Sequence, residues 1–253
     1  MKIALISDIH ANLPALEAVL QDIDGRNPDM IFCLGDLVGY APWPNEVIDL
    51  IRSRRIPTIA GNYDEGIGLH SDECGCAYKT DEEKAMGKIS IRLTNEWTTE
   101  DRRLYLRRLP AHIALDFQFG TEKIKLLLVH GSPRKINEYL FEDREDKSLL
   151  RIMKEEGADI MAFGHTHKPW HRAMSDGEQF VHAVNTGSVG KPKDGDPRAG
   201  YVMLHLDEKS SLKNAAGIRV EFIRVGYDVG KTAQAIEQSG LPVEYAGMLR
   251  KAY

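Results

Sequence analysis

Seven side chains of this 253-residue chain stand where chemistry is often assembled: Asp8, His10, Asp36, Asn62, His130, His165 and His167. Each closely follows a short apolar run. Ile3 to Ile6 leads into Asp8-Ile9-His10, Met30 to Leu34 into Gly35-Asp36, and Pro57 to Ala60 into Gly61-Asn62-Tyr63-Asp64. Ile124 to Val129 delivers His130-Gly131, and Asp159 to Phe163 delivers Gly164-His165-Thr166-His167. Carboxylate, imidazole and amide ligands without a thiolate suit a first-row divalent metal such as Mn, Fe, Co, Ni or Zn. Seven ligands exceed the needs of one four-coordinate ion and match two ions sharing a bridging carboxylate. Two such ions outweigh the charge of Asp8, Asp36 and one bridging hydroxide, so the site stays net positive and attracts an anionic phosphate. A metal pair of this kind acidifies water and clamps a transferring phosphoryl group. Singly the residues say little: Asp8 could be a helix cap, and His167 a solvated turn. Five runs ending in ligands are the signal.

The elements that must position these ligands can be read from the same runs. An apolar stretch such as Ile3 to Ile6 is a strand buried on both faces, as in parallel sheets. In open α/β sheets, sites gather beyond the carboxyl ends of strands. Asn12 caps a helix with Pro14 in its first turn and an apolar face of Leu13, Leu16, Val19, Leu20 and Ile23. Val47, Ile48 and Ile51 mark a second helix, which gives a parallel α/β half. From about 66 to 110 the pattern turns helical: Thr80 opens one helix running to Trp97, and Thr98 caps another. This is a helical insertion in a single domain spanning 1–253. Strands resume at His112 to Asp116 and Lys123 to Val129, joined as a hairpin at Phe119-Gly120. A helix over Ser148 to Glu155 follows, then strands at Asp159 to Phe163, Phe180 to Val184, Tyr201 to Leu206 and Ile218 to Val225. The strand-rich second half predicts a second, mixed sheet. The expected architecture is α/β, two sheets face to face with helices outside, closed by a helical tail from about 227 to 253.

Composition narrows the partners. Net charge is −5 and pI about 6.0, so the chain lacks the basic face that a nucleic-acid duplex requires. No apolar run approaches the roughly 20 residues of a membrane span. Met1-Lys2 leads straight into a strand with no signal-like segment, so a soluble, cytoplasmic protein is expected. Cys33, Cys74 and Cys76 are too few for a disulfide framework.

As a set, these motifs resemble the calcineurin-like metallophosphoesterases. That family's Asp-x-His, Gly-Asp, Gly-Asn-His-Asp/Glu, His-Gly and Gly-His-x-His motifs align in order with Asp8/His10, Gly35/Asp36, Gly61/Asn62, His130/Gly131 and Gly164/His165/His167. The resemblance covers nearly the whole chain and points to the small bacterial-type phosphodiesterase branch. It implies a four-layer α-β-β-α sandwich of two mixed sheets. It also implies one divalent ion on Asp8, His10, Asp36 and His167, a second on Asp36, Asn62, His130 and His165, and a bridging hydroxide as nucleophile. The implied substrate is a small-molecule phosphate ester or nucleotide, cut at a phosphodiester or phosphoanhydride bond. Alternatives are a dinucleoside polyphosphate hydrolase, a phosphomonoesterase, or a non-catalytic scaffold on the same fold. The last is disfavoured because all seven ligands are present. Two departures matter. The family's third-motif histidine, the acid for the leaving group, is Tyr63 here, with Asp64 beside it to orient a ring. Gly35-Asp36-Leu37-Val38-Gly39-Tyr40 also lacks the arginine that protein phosphatases carry after this aspartate.

Other residues have two readings each. Tyr40, Trp43 and Tyr63 could stack on a nucleobase, although Trp43, between prolines, more simply packs its own loop. Cys74-Gly75-Cys76 reads as a tight turn rather than a metal pair. Arg102, Arg103, Arg107 and Arg108 read as a solvated face. His70 is the reserve candidate for the missing acid. The Asn185 to Gly190 turn either cradles phosphate with its N–H groups or is a bend that seats the sheet.

Overall fold

The computed structural model describes residues 1–120 and 122–253. Strand β1 (Lys2–Ile6) is the pivot. Its side chains alternate between two cores, because successive residues of a strand point to opposite faces. Ile3 and Leu5 enter the space between two sheets; Ala4 and Ile6 face a helical layer. In chain order follow α1 (Leu13–Arg26), β2 (Met30–Cys33), α2 (Pro44–Ser53), α3 (Asn62–Gly68), α4 (Asp81–Trp97) and α5 (Glu100–Arg107). Then come β3 (His112–Phe119), β4 (Glu122–Val129), α6 (Asp146–Glu156), β5 (Ile160–Phe163), β6 (Trp170–Ser175) and β7 (Phe180–Asn185). β8 (Ala199–His205), β9 (Arg219–Val225), α7 (Val229–Gln238) and α8 (Glu244–Lys251) complete the fold.

Two mixed sheets result, one ordered β2-β1-β8-β9 and the other β3-β4-β5-β7-β6. β1 and β2 run parallel, as do β4 with β5 and β5 with β7. The facing sides interdigitate through Ile3, Leu5, Phe32, Leu126, Leu128, Ile160, Ala162 and Val202. Helices α1 and α2 cover the first sheet with Leu16, Val19, Val47 and Ile48, and α6 covers the second with Leu149, Ile152 and Met153. Each fully buried aliphatic side chain contributes about 1.5–3 kcal/mol, and this core holds the carboxyl ends of β1, β2, β4 and β5 together.

Helix α1 begins as its sequence dictates: Asn12 Oδ1 accepts the Ala15 N–H at 3.3 Å, and Pro14 sits in the first turn. Several expectations need correction. Pro57 to Ala60 is no strand but a single parallel contact of Thr58 with Cys33. Pro57 has no N–H, and Ala60 instead donates to the Pro110 carbonyl at 2.8 Å. The second-half strands do not form one sheet, since β8 and β9 return to pair beside β1. β6 was not anticipated because Trp170-His171-Arg172-Ala173-Met174-Ser175 has few apolar residues; as an edge strand it pairs only with β7. Thr98 terminates α4, and Thr99 occupies the N-cap of α5. Arg103 does not belong to a solvated face. It is buried, and its guanidinium donates to the carbonyls of Ile67, Asn95 and Thr98 and to the Asn95 side chain. Among the described residues no helix is long and apolar enough to cross a membrane.

Candidate metal centre

The strand tips are laced to one another before any side chain is considered. Asp8 donates its backbone N–H to the Gly35 carbonyl and His10 donates to that of Asp36, both at 2.9 Å. Gly164 donates to the His130 carbonyl at 2.9 Å. Asp8, His10, Asp36, His165 and His167 all adopt positive φ, between 49° and 64°. That conformation costs an L-residue about 1–2 kcal/mol and collects at functional sites. Two glycines make the close approach possible: a Cβ on Gly61 would collide with the Asp36 carboxylate, and one on Gly164 with that of Asp8.

All seven candidate ligands are buried. Asp8, His10 and His167 form one cluster; Asp36, His130 and His165 form another. Asp36 Oδ2 joins them, 3.5 Å from His10 Nε2 and 3.4 Å from His130 Nε2. Asn62 belongs with the second, its Oδ1 3.1 Å from His130 Nε2. Its amide nitrogen donates to the Cys74 carbonyl at 2.8 Å, which turns the oxygen toward the centre. In each aspartate one oxygen is tied and the other left for the site. Asp8 Oδ2 accepts from Ser7 Oγ at 2.6 Å and His165 N–H at 3.0 Å, while Oδ1 has no partner. Asp36 Oδ1 accepts the Tyr63 N–H at 2.9 Å.

The histidines repeat this division. Nδ1 of His10 donates to the Val38 carbonyl, that of His130 to Leu34, and that of His167 to Lys191, at 3.0, 2.8 and 2.6 Å. With Nδ1 protonated, Nε2 of a neutral ring carries a lone pair. Yet Nε2 of His10 and of His167 stand 3.1 Å apart, and His167 Nε2 is 3.2 Å from Asp8 Oδ1. Acceptors therefore converge on acceptors. A divalent cation resolves that conflict, and the N/O donor set fits one. Burial, then the neighbouring His167, lowers the pKa of His10. Burial, then Lys193, lowers His167, and burial, then His130, takes His165 to about 2. These rings are neutral and ready to ligate. Burial acts downward on His130 as well, but the charge and hydrogen bond of Asp36 raise it to about 10, so an ion there must displace a proton.

The other candidates are placed less centrally. Tyr63 is buried, its ring 4.9 Å from that of Tyr40 and 5.4 Å from that of His10, and its hydroxyl has no hydrogen-bond partner. Burial, then Tyr40, drives its pKa well above the usual phenol range. Asp64 does not face the Tyr63 hydroxyl. Its oxygens accept the N–H groups of Leu37 and Gly61 at 2.9 and 3.0 Å, which fixes the two loops carrying Asp36 and Asn62. His70 lies exposed beyond α3. Trp43 is the N-cap of α2 and touches no aromatic ring of the centre among the described residues, whereas Tyr40 packs edge-on against His10 at 4.8 Å. Cys74 and Cys76 are paired across a tight turn at Gly75.

The Asn185 to Gly190 turn acts as the bend. Asn185 holds the Gly164 carbonyl, Ser188 Oγ donates to the Asp8 carbonyl at 2.7 Å, and the N–H groups of Val189 and Gly190 bond to Ser7 and Asp8. The sequence reading passed over Tyr139, whose ring lies 4.1 Å from that of His165. It also passed over Lys191 and Lys193, for which the only signal was their place directly after this turn. These three residues and Tyr40 line a cleft of about 470 Å³; Tyr63 does not.

Comparison with known proteins gives the family. Residues 1–209 match the calcineurin-like phosphoesterase superfamily domain. The chain is 34% identical to the uncharacterized protein MJ0912 of Methanocaldococcus jannaschii, over 95% of this chain and 93% of that one. It is 26% identical to phosphodiesterase YfcE of Escherichia coli, over 84% and 91%. A metallophosphoesterase from Sphaerobacter thermophilus superimposes with a TM-score of 0.73 at 30% identity, covering 100% of this chain and 99% of its own. Hypothetical protein PH1004 of Pyrococcus horikoshii shares the fold, with a TM-score of 0.77 at 24% identity over 98% and 97%. The chain therefore belongs to the calcineurin-like phosphoesterase superfamily and is a metal-dependent phosphoric ester hydrolase.

Proposed function

We propose that this hydrolase cuts phosphodiester or nucleotide phosphoanhydride bonds at a centre built for two divalent ions. Asp8, His10, Asp36 and His167 would hold one ion; Asp36, Asn62, His130 and His165 the other. One observation carries the reading: the buried lone pairs of His10 Nε2, His167 Nε2 and Asp8 Oδ1 converge without a donor among them. Bound divalent ions supply an acidified water and offset charge on phosphoryl oxygens. The protein supplies rigidity, since the carbonyls of Val38, Leu34 and Lys191 lock three imidazoles in one tautomer.

The preference within this class for acidic leaving groups, as in anhydrides and aryl diesters, rests on the placement of Tyr63 and His70. A general acid is most valuable for an alkoxide leaving group. Tyr63 is buried away from the cleft, and His70 is exposed elsewhere. Bonds whose leaving group is already acidic suit such a site, and the relative YfcE carries the name phosphodiesterase. The test is a panel of an aryl phosphodiester, a dinucleoside polyphosphate and a phosphomonoester of the same aryl alcohol, assayed after reconstitution with Mn, Fe, Co, Ni or Zn. Diester or anhydride should turn over fastest, with activity lost to a chelator and restored by metal. Turnover of the monoester alone would contradict the proposal.

A further inference from the structure

The cleft beside the centre carries two cations that the ligand set does not use. Lys191 is only 7% exposed, and its ammonium lies 4.6 Å from the Tyr40 ring centroid and 5.8 Å from that of Tyr245. Lys193, two residues on, lines the same cleft. Neither ammonium has a carboxylate partner among the described residues. Lys193 faces the charges of Asp8 and Asp36 and then Glu83, and Lys191 that of Glu83, whose carboxylate already accepts the Lys79 N–H at 2.7 Å. The backbone holds the pair in place: Lys191 N–H donates to Ser188 Oγ at 2.8 Å, and Lys193 N–H to the His167 carbonyl at 3.2 Å. A desolvated ammonium without a counter-ion is costly.

The position of Tyr40 decides which anion. Its ring contacts both His10, at 4.8 Å, and the Lys191 ammonium, at 4.6 Å, so the cleft runs from the candidate ligands to the lysines. The reacting phosphoryl group would sit on the candidate metal ligands, which leaves the lysines for a further charge of the same substrate. In the same cleft, Tyr139 and Phe141 stack with centroids 5.6 Å apart and planes 12° apart. Tyr139 touches His165, and Phe141 is 45% exposed. They form an aromatic platform leading out from the centre.

We propose that Lys191 and Lys193 form a second anion site, which takes the non-reacting phosphate of a substrate whose aromatic group lies on Tyr139 and Phe141. The substrate class is then an aromatic, nucleotide-like ester or anhydride with at least two phosphates. This deepens the hydrolytic reading and rests on it for the place of the reacting phosphoryl group.

The experiment measures binding to the metal-loaded protein by calorimetry. The probes are adenosine monophosphate and the methylene-bridged, non-hydrolysable analogues of the di- and triphosphate. Affinity should rise about tenfold or more when the additional phosphate reaches the lysines, the scale of one charge-assisted hydrogen bond. Lys193→Gln should erase that gain and Lys193→Arg should keep much of it. Phe141→Ala should weaken all three probes in parallel. Lys191→Gln should act as Lys193→Gln does; because Lys191 is buried, its melting temperature is compared first, and Lys193→Gln carries the test if that variant is unfolded. Equal affinity for all three probes in wild type would overturn the proposal. So would a Lys193→Gln variant that loses all three to the same degree, because the lysine would then serve the reacting phosphoryl group. A phosphate-dependent gain without hydrolysis of any substrate would leave the anion site standing and refute the hydrolytic reading instead.

Discussion

Replacing Tyr63 tests whether position 63 takes part in the chemistry of this chain. A positioned acid gives about 10²–10⁴-fold in rate, or roughly 3–5 kcal/mol of barrier, and gives it mainly to poor leaving groups. Here the hydroxyl at position 63 is buried and raised well above the phenol range, and it lines no part of the cleft. The wild-type protein should therefore show kcat/KM falling steeply as leaving-group pKa rises across aryl and alkyl esters. Tyr63→Phe removes a buried hydroxyl without a partner. It should change kcat/KM less than about twofold for every ester, since the hydroxyl lines no part of the cleft. Tyr63→His restores an imidazole, but Asp64 is committed to the N–H groups of Leu37 and Gly61 and cannot orient it. Rescue of alkyl esters should then stop near about tenfold, short of what an oriented acid supplies. The assay is steady-state hydrolysis of the ester series by the three proteins, with single-turnover rates to establish that chemistry limits. A hundredfold loss in Tyr63→Phe confined to alkyl esters would refute the reasoning, as would a flat wild-type series in a chemistry-limited step.

Two further outcomes concern stability. Arg103→Lys should cost about 2–3 kcal/mol in urea unfolding, because an ammonium cannot reproduce the planar fork that reaches the carbonyls of Ile67, Asn95 and Thr98; a loss below about 0.5 kcal/mol would contradict that role. His182 is fully buried, and burial, then the charge of His171, lowers its pKa to about 4. A depressed folded-state pKa means its contribution is complete above the unfolded value near 6.5 and disappears as pH falls toward 4, on the order of 3 kcal/mol. Between pH 7 and 4, wild type should thus lose more stability than His182→Gln, and parallel curves would contradict it.

The metal centre was legible in the sequence because its ligands sit at the ends of apolar runs, which fixes them in space whatever the sheet order. Asp8, Asp36, His130 and His165 each follow a stretch of consecutive apolar residues, and the structure brings those four tips together. Sheet membership was not legible. β8 and β9 read like any other strands, and only long-range pairing with Lys2 to Leu5 shows that they complete the first sheet. Trp170 to Ser175 was missed because an edge strand needs little apolar character. Arg103 looked solvated because its partners are carbonyls of α3 and α4, which no sequence pattern marks. The burial of Tyr63 beneath Tyr40 depends on the chain folding back at Gly39, where a Cβ would collide with the Tyr63 ring. Lys191 and Lys193 lay unremarked for the opposite reason: isolated lysines are ordinary on a surface, and only the cleft makes them unusual.

The central claim is that one carboxylate joins two cation sites, since Asp36 Oδ2 lies 3.5 Å from His10 Nε2 in one cluster and 3.4 Å from His130 Nε2 in the other. The most direct measurement is metal content per chain after reconstitution and gentle desalting, for wild type, Asp36→Asn and His10→Ala side by side. Wild type should approach two ions per chain, His10→Ala should retain the second site, and Asp36→Asn should lose ions from both. A wild-type ceiling of one ion with full activity, or an Asp36→Asn variant with normal metal content and hydrolysis, would contradict it.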